Sequence, residues 1–238
     1  MKIVFAGPSI HGLDLPPGDT LIRPPAQRDD VAAAVEEGAT VIGLIDGHYE
    51  QVASVWHKEI LYALSMGVHV LGAASMGALR AAECEAYGMV PVGEIAGRYC
   101  RGEIYDDDAV ALLNGPAELA YAPLTEPLVE VEATLARLLN IGAVTAEEHA
   151  ALAGAAKRTF FKDRTDTALV VGVVEAERRD ELLAAYRRHR VALKSRDAAE
   201  LLAIVAAMPG ERGERPSWTL AASPFWRQRG QGELALVS

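Results

Sequence analysis

The chain has 238 residues, half of them apolar and 24% charged, which fits a globular protein with its own core and excludes a disordered chain. Lys and Arg total 23 against 33 Asp and Glu, a net charge of −10, unevenly spread: residues 1–150 hold 8 basic and 22 acidic groups, and residues 151–238 hold 15 and 11. The acidic front half excludes a nucleic-acid surface there, since phosphates need a basic footprint, while the mildly basic rear suits an acidic protein partner. Cys84 and Cys100 form no C-x-x-C pair and no zinc set, so free thiols in a reducing compartment are expected. The apolar run of Met1–Gly7 is too short for a secretion signal, and no run reaches the ~18 residues of a membrane helix. A cytoplasmic protein, binding neither nucleic acid nor membrane, is the expectation.

In chain order, Lys2–Ala6 is a β-branched and aromatic run that stops at Gly7-Pro8-Ser9, the pattern of a buried strand and a tight loop. A Pro/Gly-rich connector follows, with a short strand at Thr20–Ile22. The spacing then predicts a helix over Gln27–Glu37, a strand over Thr40–Ile45 ending in Asp46-Gly47, and a helix over Val52–Met66. A strand over Val68–Leu71 and a helix over Ala78–Tyr87 come next. From about Pro127 the pattern turns helical, at Val129–Leu139, Ala146–Arg158, Arg179–His189 and Ala198–Met208, with Thr145 and Glu148 at capping-box spacing. The last 30 residues have no period and read as a docking arm or a frayed tail.

Continuous apolar strands alternating with helices predict an α/β fold. Its expected form is a parallel sheet flanked by helices in the N-terminal part, followed by a mainly helical C-terminal part. The expected division is an α/β core over residues 1–165 and a helical extension with an irregular tail over 166–238. In such a sheet the functional edge lies at the strand carboxyl ends. Gly7-Pro8-Ser9, Asp46-Gly47-His48, Gly72–Gly77 and the start of the helix over 52–66 meet there.

Ser75 is the centre of the chemical argument. A serine on a sharp strand-to-helix turn among small residues has the geometry of a nucleophile elbow, and the helix behind it offers free N–H groups to an oxyanion. The run Ala73-Ala74-Ser75-Met76-Gly77 differs from G-x-S-x-G only in its first residue. The alternative is that Ser75 merely caps its helix. A serine needs a base. His149 and His189 fall inside predicted rear helices, and His69 lies within a strand and reads as core. His48 and His57 lie near the edge as possible helpers. Lys58, beside Val55, Trp56 and Ile60, is the other choice; partial burial would bring its amine toward neutrality, and its alternative is an ion pair on a solvated face. Asp46 ends a buried strand and either orients a partner or forms an Asx turn with Gly47. Asp106-Asp107-Asp108 lacks a cation-loop spacing and reads as a solvated acidic turn, so no metal is assigned. Tyr186-Arg187-Arg188-His189-Arg190 reads as a solvated basic face, with partner docking as the alternative.

Three segments, Gly43-Leu44-Ile45-Asp46-Gly47, Val55-Trp56-His57-Lys58-Glu59-Ile60-Leu61 and Gly72-Ala73-Ala74-Ser75-Met76-Gly77-Ala78-Leu79-Arg80-Ala81-Ala82-Glu83, resemble the TfuA-like family, as does the opening Gly7-Pro8-Ser9. The likeness covers roughly residues 1–165. His48-Tyr49 departs from the family's usual form. The resemblance implies an accessory protein of YcaO-dependent backbone thioamidation in ribosomally made peptides or proteins. It implies hydrolysis of a thiocarboxylated, ThiS-type ubiquitin-like carrier to supply sulfide, and help for YcaO in engaging its precursor substrate. The implied catalytic pair is Ser75 and Lys58. Met76, Gly77, Asp46 and His57 would support the oxyanion and the pair, while Gly7, Pro8, Ser9 and Arg80 would contact substrate. No cofactor is expected. Two rival readings are a non-catalytic adaptor bridging YcaO and the carrier, and a small-molecule Ser-Lys esterase or thioesterase.

Overall fold

A computed structural model describes residues 1–48, 52–221 and 226. Tyr49 and most of the final segment therefore lie outside the described residues. Five parallel strands form one sheet: β1 (Lys2–Phe5), β2 (Thr20–Arg23), β3 (Val41–Leu44), β4 (His69–Gly72) and β5 (Val90–Pro91), in the order β2-β1-β3-β4-β5. Ile3 faces Leu21 on one side and Ile42 on the other, and Ile42 faces Val70. β1 and β3 are buried along their whole length, Lys2 included, as strands covered on both faces are.

Side chains alternate between the two faces. Ile3, Phe5, Ile42 and Leu44 pack under α1 (Asp30–Glu36), α2 (His57–Ser65) and α3 (Met76–Cys84). Val4, Ala6, Val41 and Leu71 pack under Ala198, Leu201, Leu202 and Val205 of the last helix. The remaining helices are α4 (Gly93–Cys100), α5 (Leu128–Asn140), α6 (Ala146–Arg158), α7 (Asp166–Val173), α8 (Ala176–Arg188) and α9 (Leu193–Ala207). α9 reaches the sheet because β3 carries Gly43: a Cβ there would lie 2.7 Å from a Leu201 methyl and 2.9 Å from a Val4 methyl. α5 to α8 enclose a core of their own around Leu135, Leu138, Leu152, Leu182 and Tyr186. Among the described residues no helix is long and apolar enough to cross a membrane.

The expected fold class holds, with local differences. α2 starts at His57, five residues later than the spacing predicts, with Glu59 accepting the Trp56 N–H at 3.0 Å. The Thr145–Glu148 capping box forms as expected. β5, α4 and α7 were not anticipated. His69 is half-buried rather than core, because Gly213 of the C-terminal arm comes against its ring. That arm is docked: Arg212 donates to the Val35 and Ala39 carbonyls, the Gly213 N–H to the Gly67 carbonyl, and Trp218 packs on Tyr87.

Arg164, fully buried, ties the helical part together. Its guanidinium donates to the Ala156 carbonyl at 3.1 Å, to the Thr159 carbonyl at 3.1 Å and to the Asp108 carboxylate at 2.6 Å. Asp108, itself partly exposed, is thus the ion-pair partner of a buried guanidinium, while Asp106 and Asp107 stay exposed as a solvated acidic turn requires. Arg164→Met should lower unfolding free energy in urea by about 3 kcal/mol, because the carbonyls and Asp108 lose their donors together.

Candidate active site at the carboxyl edge of the sheet

In the strand order β2-β1-β3-β4-β5 the chain runs outward from β1 to β2, then crosses back over β1 to β3. The connections above the carboxyl ends of β1 and β3 therefore part in opposite directions, and ligands of open α/β sheets bind in the crevice so formed. Two loops meet at this point. Asp46, just past β3 and buried, receives the Gly7 N–H at 2.8 Å and the Ser9 N–H at 3.0 Å on one carboxylate oxygen, and the Ser9 hydroxyl at 2.7 Å on the other. This clamp fixes the Pro8–Ile10 turn. Asp46 thus reaches into the neighbouring loop instead of forming an Asx turn with Gly47. Asp46→Ala should cost about 3 kcal/mol, since two buried N–H groups lose their acceptor. Asp46→Asn, whose amide oxygen can still serve both N–H groups while its nitrogen donates to the Ser9 hydroxyl, should cost under about 1 kcal/mol by thermal unfolding.

The turn from β4 into α3 is equally constrained. Ala74 sits at φ +64, a left-handed conformation unusual for alanine, and Ser75 follows at φ −123. The strain of the elbow is carried one residue ahead of the serine. Ser75 is buried at 3% exposure, yet its hydroxyl does not cap α3 and makes no hydrogen bond among the described residues. The Gly77 N–H donates to the Ile45 carbonyl at 3.1 Å and is unavailable to an oxyanion. Among the described residues no backbone bond takes the Met76 N–H, which leaves it as the donor beside Ser75. Met76 also presses against Gly47, where a Cβ would fall 2.3 Å from its sulfur.

Lys58, in the first turn of α2, donates its amine to the Ala221 carbonyl of the arm, and among the described residues no hydrogen bond joins it to Ser75. His57 and Arg80 both converge on Glu83, His57 Nε2 at 2.8 Å and Arg80 Nη1 at 2.6 Å, and Arg80 also donates to the Val55 carbonyl. Burial pushes the Glu83 carboxyl up, but these two hydrogen bonds outweigh it and hold the group below the usual carboxylate range. Met76, Arg80, Glu83 and Asp106 line a cleft of about 350 Å³. A second cleft, of about 410 Å³, runs past Pro8, Gly47, His48, Asn114, Gly115 and Lys162. Cys84 is buried, and desolvation, with Glu83 adding to it, pushes its thiol up to about 11.

The basic run near the end of α8 is exposed at Arg187, Arg188 and Arg190, as expected of a solvated face, and it carries ion pairs besides. The Tyr186 hydroxyl donates to Glu126, Arg187 binds Asp166 at 2.7 Å, and Arg190 lies 3.2 Å from Glu126. Burial raises the Glu126 carboxyl, with Arg190 and Tyr186 opposing it. The residue that the sequence reading missed is Lys194. It lies buried in the first turn of α9, donating to the Val110 carbonyl at 2.9 Å. Desolvation lowers its amine from the ordinary lysine value, opposed by the charges of Asp46 and Glu130. One signal was present: Lys194 and Asp197 share the helical stripe of Ala198, Leu201 and Val205, so α9 has to bury two charges.

No curated protein matches the chain. A family model described as TfuA-like protein matches residues 46–165, the stretch that carries Asp46, Lys58, the strained turn and Ser75. That match takes in half of the 238 residues, and the chain belongs to the TfuA-like family, which is associated with YcaO-dependent thioamidation.

Proposed function

We propose that this chain supplies sulfur to its YcaO partner by hydrolysing the C-terminal thiocarboxylate of a ThiS-type carrier, with Ser75 as nucleophile and Lys58 as base. The observation that carries the reading is the Ser75 hydroxyl, unbonded among the described residues, at the mouth of α3 beside the Met76 N–H. The Lys58 amine, released from Ala221, takes the Ser75 proton as Oγ attacks the thiocarbonyl-bearing carbon. The carbon–sulfur bond breaks, and the proton passes to the departing sulfur. Water then opens the acyl-serine, with the lysine again accepting the proton. The net change is thiocarboxylate plus water to carboxylate plus hydrogen sulfide. The precursor peptide or protein is met through YcaO.

The test is sulfide production from a purified thiocarboxylated carrier mixed with this chain alone. Release well above the rate of the carrier by itself supports the reading; release at the background rate overturns it. A non-catalytic adaptor bridging YcaO and the carrier is the second reading. It is favoured by the contact between Lys58 and Ala221, which holds the amine on the arm. It requires background sulfide release together with faster thioamide formation when YcaO is added.

A further inference from the structure

The arm after α9 is fixed at its root and latched farther along, by contacts of different kinds. At the root, Arg212 donates to the Val35 and Ala39 carbonyls, and the Gly213 N–H donates to the Gly67 carbonyl at 2.8 Å. Gly67, at φ +74 just past α2, is where the two backbones meet: a Cβ there would fall 2.5 Å from the Gly213 carbonyl oxygen.

Beyond Gly213 the anchoring changes. Among the described residues no backbone–backbone hydrogen bond holds residues 214–221, and Glu214, Arg215, Ser217, Thr219 and Ala221 are exposed. Two ring contacts and one side-chain bond keep this stretch on the body. Trp218 meets Tyr87 edge-on, with centroids 5.7 Å apart, and Trp226 meets Tyr62 at 5.4 Å. The Lys58 amine donates to the Ala221 carbonyl. Lys58 and Tyr62 stand one turn apart on one face of α2. The stretch therefore runs back along that helix, from Gly67 past its C-terminus to Lys58 in its first turn, a span of roughly 14 Å. A segment held without a backbone ladder opens while the rest of the fold stays intact.

We infer that residues 214–221 are an autoinhibitory strap hinged at Gly213, which keeps the Lys58 amine engaged until the strap is lifted. The inhibition rests on the proposed function, in which Lys58 is the base; the latch itself does not. A partner protein that covers the uncovered rings would hold the strap open, since a ligand shifts an equilibrium toward the state it binds better.

The probe is sulfosuccinimidyl acetate, well below saturation, on the full-length chain. Acetylation of Lys58 is read by peptide mass spectrometry against that of Lys157, an exposed lysine on α6. Labelling follows the fraction of chains unlatched, so Trp218→Ala should raise the Lys58-to-Lys157 ratio about fivefold, and sulfide release by a similar factor. Trp218→Phe, which keeps a ring, should stay near the unmodified chain. If Trp218→Ala does not fold, Tyr87→Ala removes the other ring and should have the same effect. An unchanged Lys58 ratio overturns the strap. A raised ratio with unchanged or slower release, in a chain that hydrolyses the carrier, overturns the inhibition. A raised ratio with background release from every chain supports the latch and overturns the proposed hydrolysis instead.

Discussion

Ser75→Ala is expected to reduce sulfide release from a thiocarboxylated carrier at least a hundredfold, on the order of the loss when a serine nucleophile is removed, and to leave the melting temperature almost unchanged. The second half of that expectation is unusual for a buried polar residue. A serine at a helix start ordinarily caps it, and alanine there costs about 1 kcal/mol. Here the hydroxyl caps nothing and pairs with nothing among the described residues, so its removal should cost no more than about 0.5 kcal/mol. Activity and stability therefore separate in one variant. Lys58→Ala and Lys58→Arg should both lose release as well, because a guanidinium stays protonated and cannot replace an amine as base. If the lysine variants keep full release while Ser75→Ala is silent, the base is another group and the pair is wrong. If all three release sulfide normally, the hydrolytic reading fails and the adaptor reading stands.

Gly77→Ala should be the most damaging single-methyl change in the chain. A Cβ at Gly77 would lie 1.7 Å from the Leu44 carbonyl oxygen and 2.5 Å from the Leu44 carbonyl carbon. Both atoms are backbone of a central strand and cannot rotate aside. The Gly77 N–H also donates to the Ile45 carbonyl, which stitches the start of α3 to the end of β3. Accommodating the methyl means prising α3 away from the sheet, which should cost more than about 3 kcal/mol in chemical unfolding. Any folded fraction should be inactive, because the same movement displaces Ser75 and the Met76 N–H. Leu79→Ala, on the outer side of α3, is the control: a modest loss of stability with hydrolysis intact.

β1, β3 and β4 were readable because each is mostly apolar and buried, as a sheet covered on both faces requires, whereas β5 is only Val90–Pro91. The position of Ser75 was readable because a serine flanked by small residues between an apolar strand and a helix marks a tight strand-to-helix turn. α4 was not, since it begins at Gly93 and contains Gly97, both poor in a helix. What holds it is distant: Asp197 of α9 accepts the Ile95 N–H at 2.8 Å, capping a helix 102 residues earlier. α7 was missed because Val170, Val171 and Val173 favour strands, and burial of Leu169 and Val170 against the helical core overrides that preference. The Asp46 clamp and the buried Lys194 were invisible for the same reason as the α4 cap. Asp46 and Lys194 stand far apart in the chain, and only the folding of α9 across the sheet brings the amine near the carboxylate. The exposure of the basic run at 186–190 was legible, but its ion pairs were not, because its acidic partners, Glu126, Glu130 and Asp166, lie on other elements.

The placement of α9 has a consequence for how the protein is made. One whole face of the sheet, with Val4, Val41, Ile45 and Leu71, is roofed by a helix translated more than a hundred residues after those strands. Arg212 and Gly213, later still, supply hydrogen bonds to the Val35, Ala39 and Gly67 carbonyls near the ends of the first two helices. While the ribosome is still working through the middle of the message, the nascent strands hold an oily, uncovered side. Closure must wait until the late helix clears the exit tunnel, so chaperone demand and aggregation during expression should track the time between those two events.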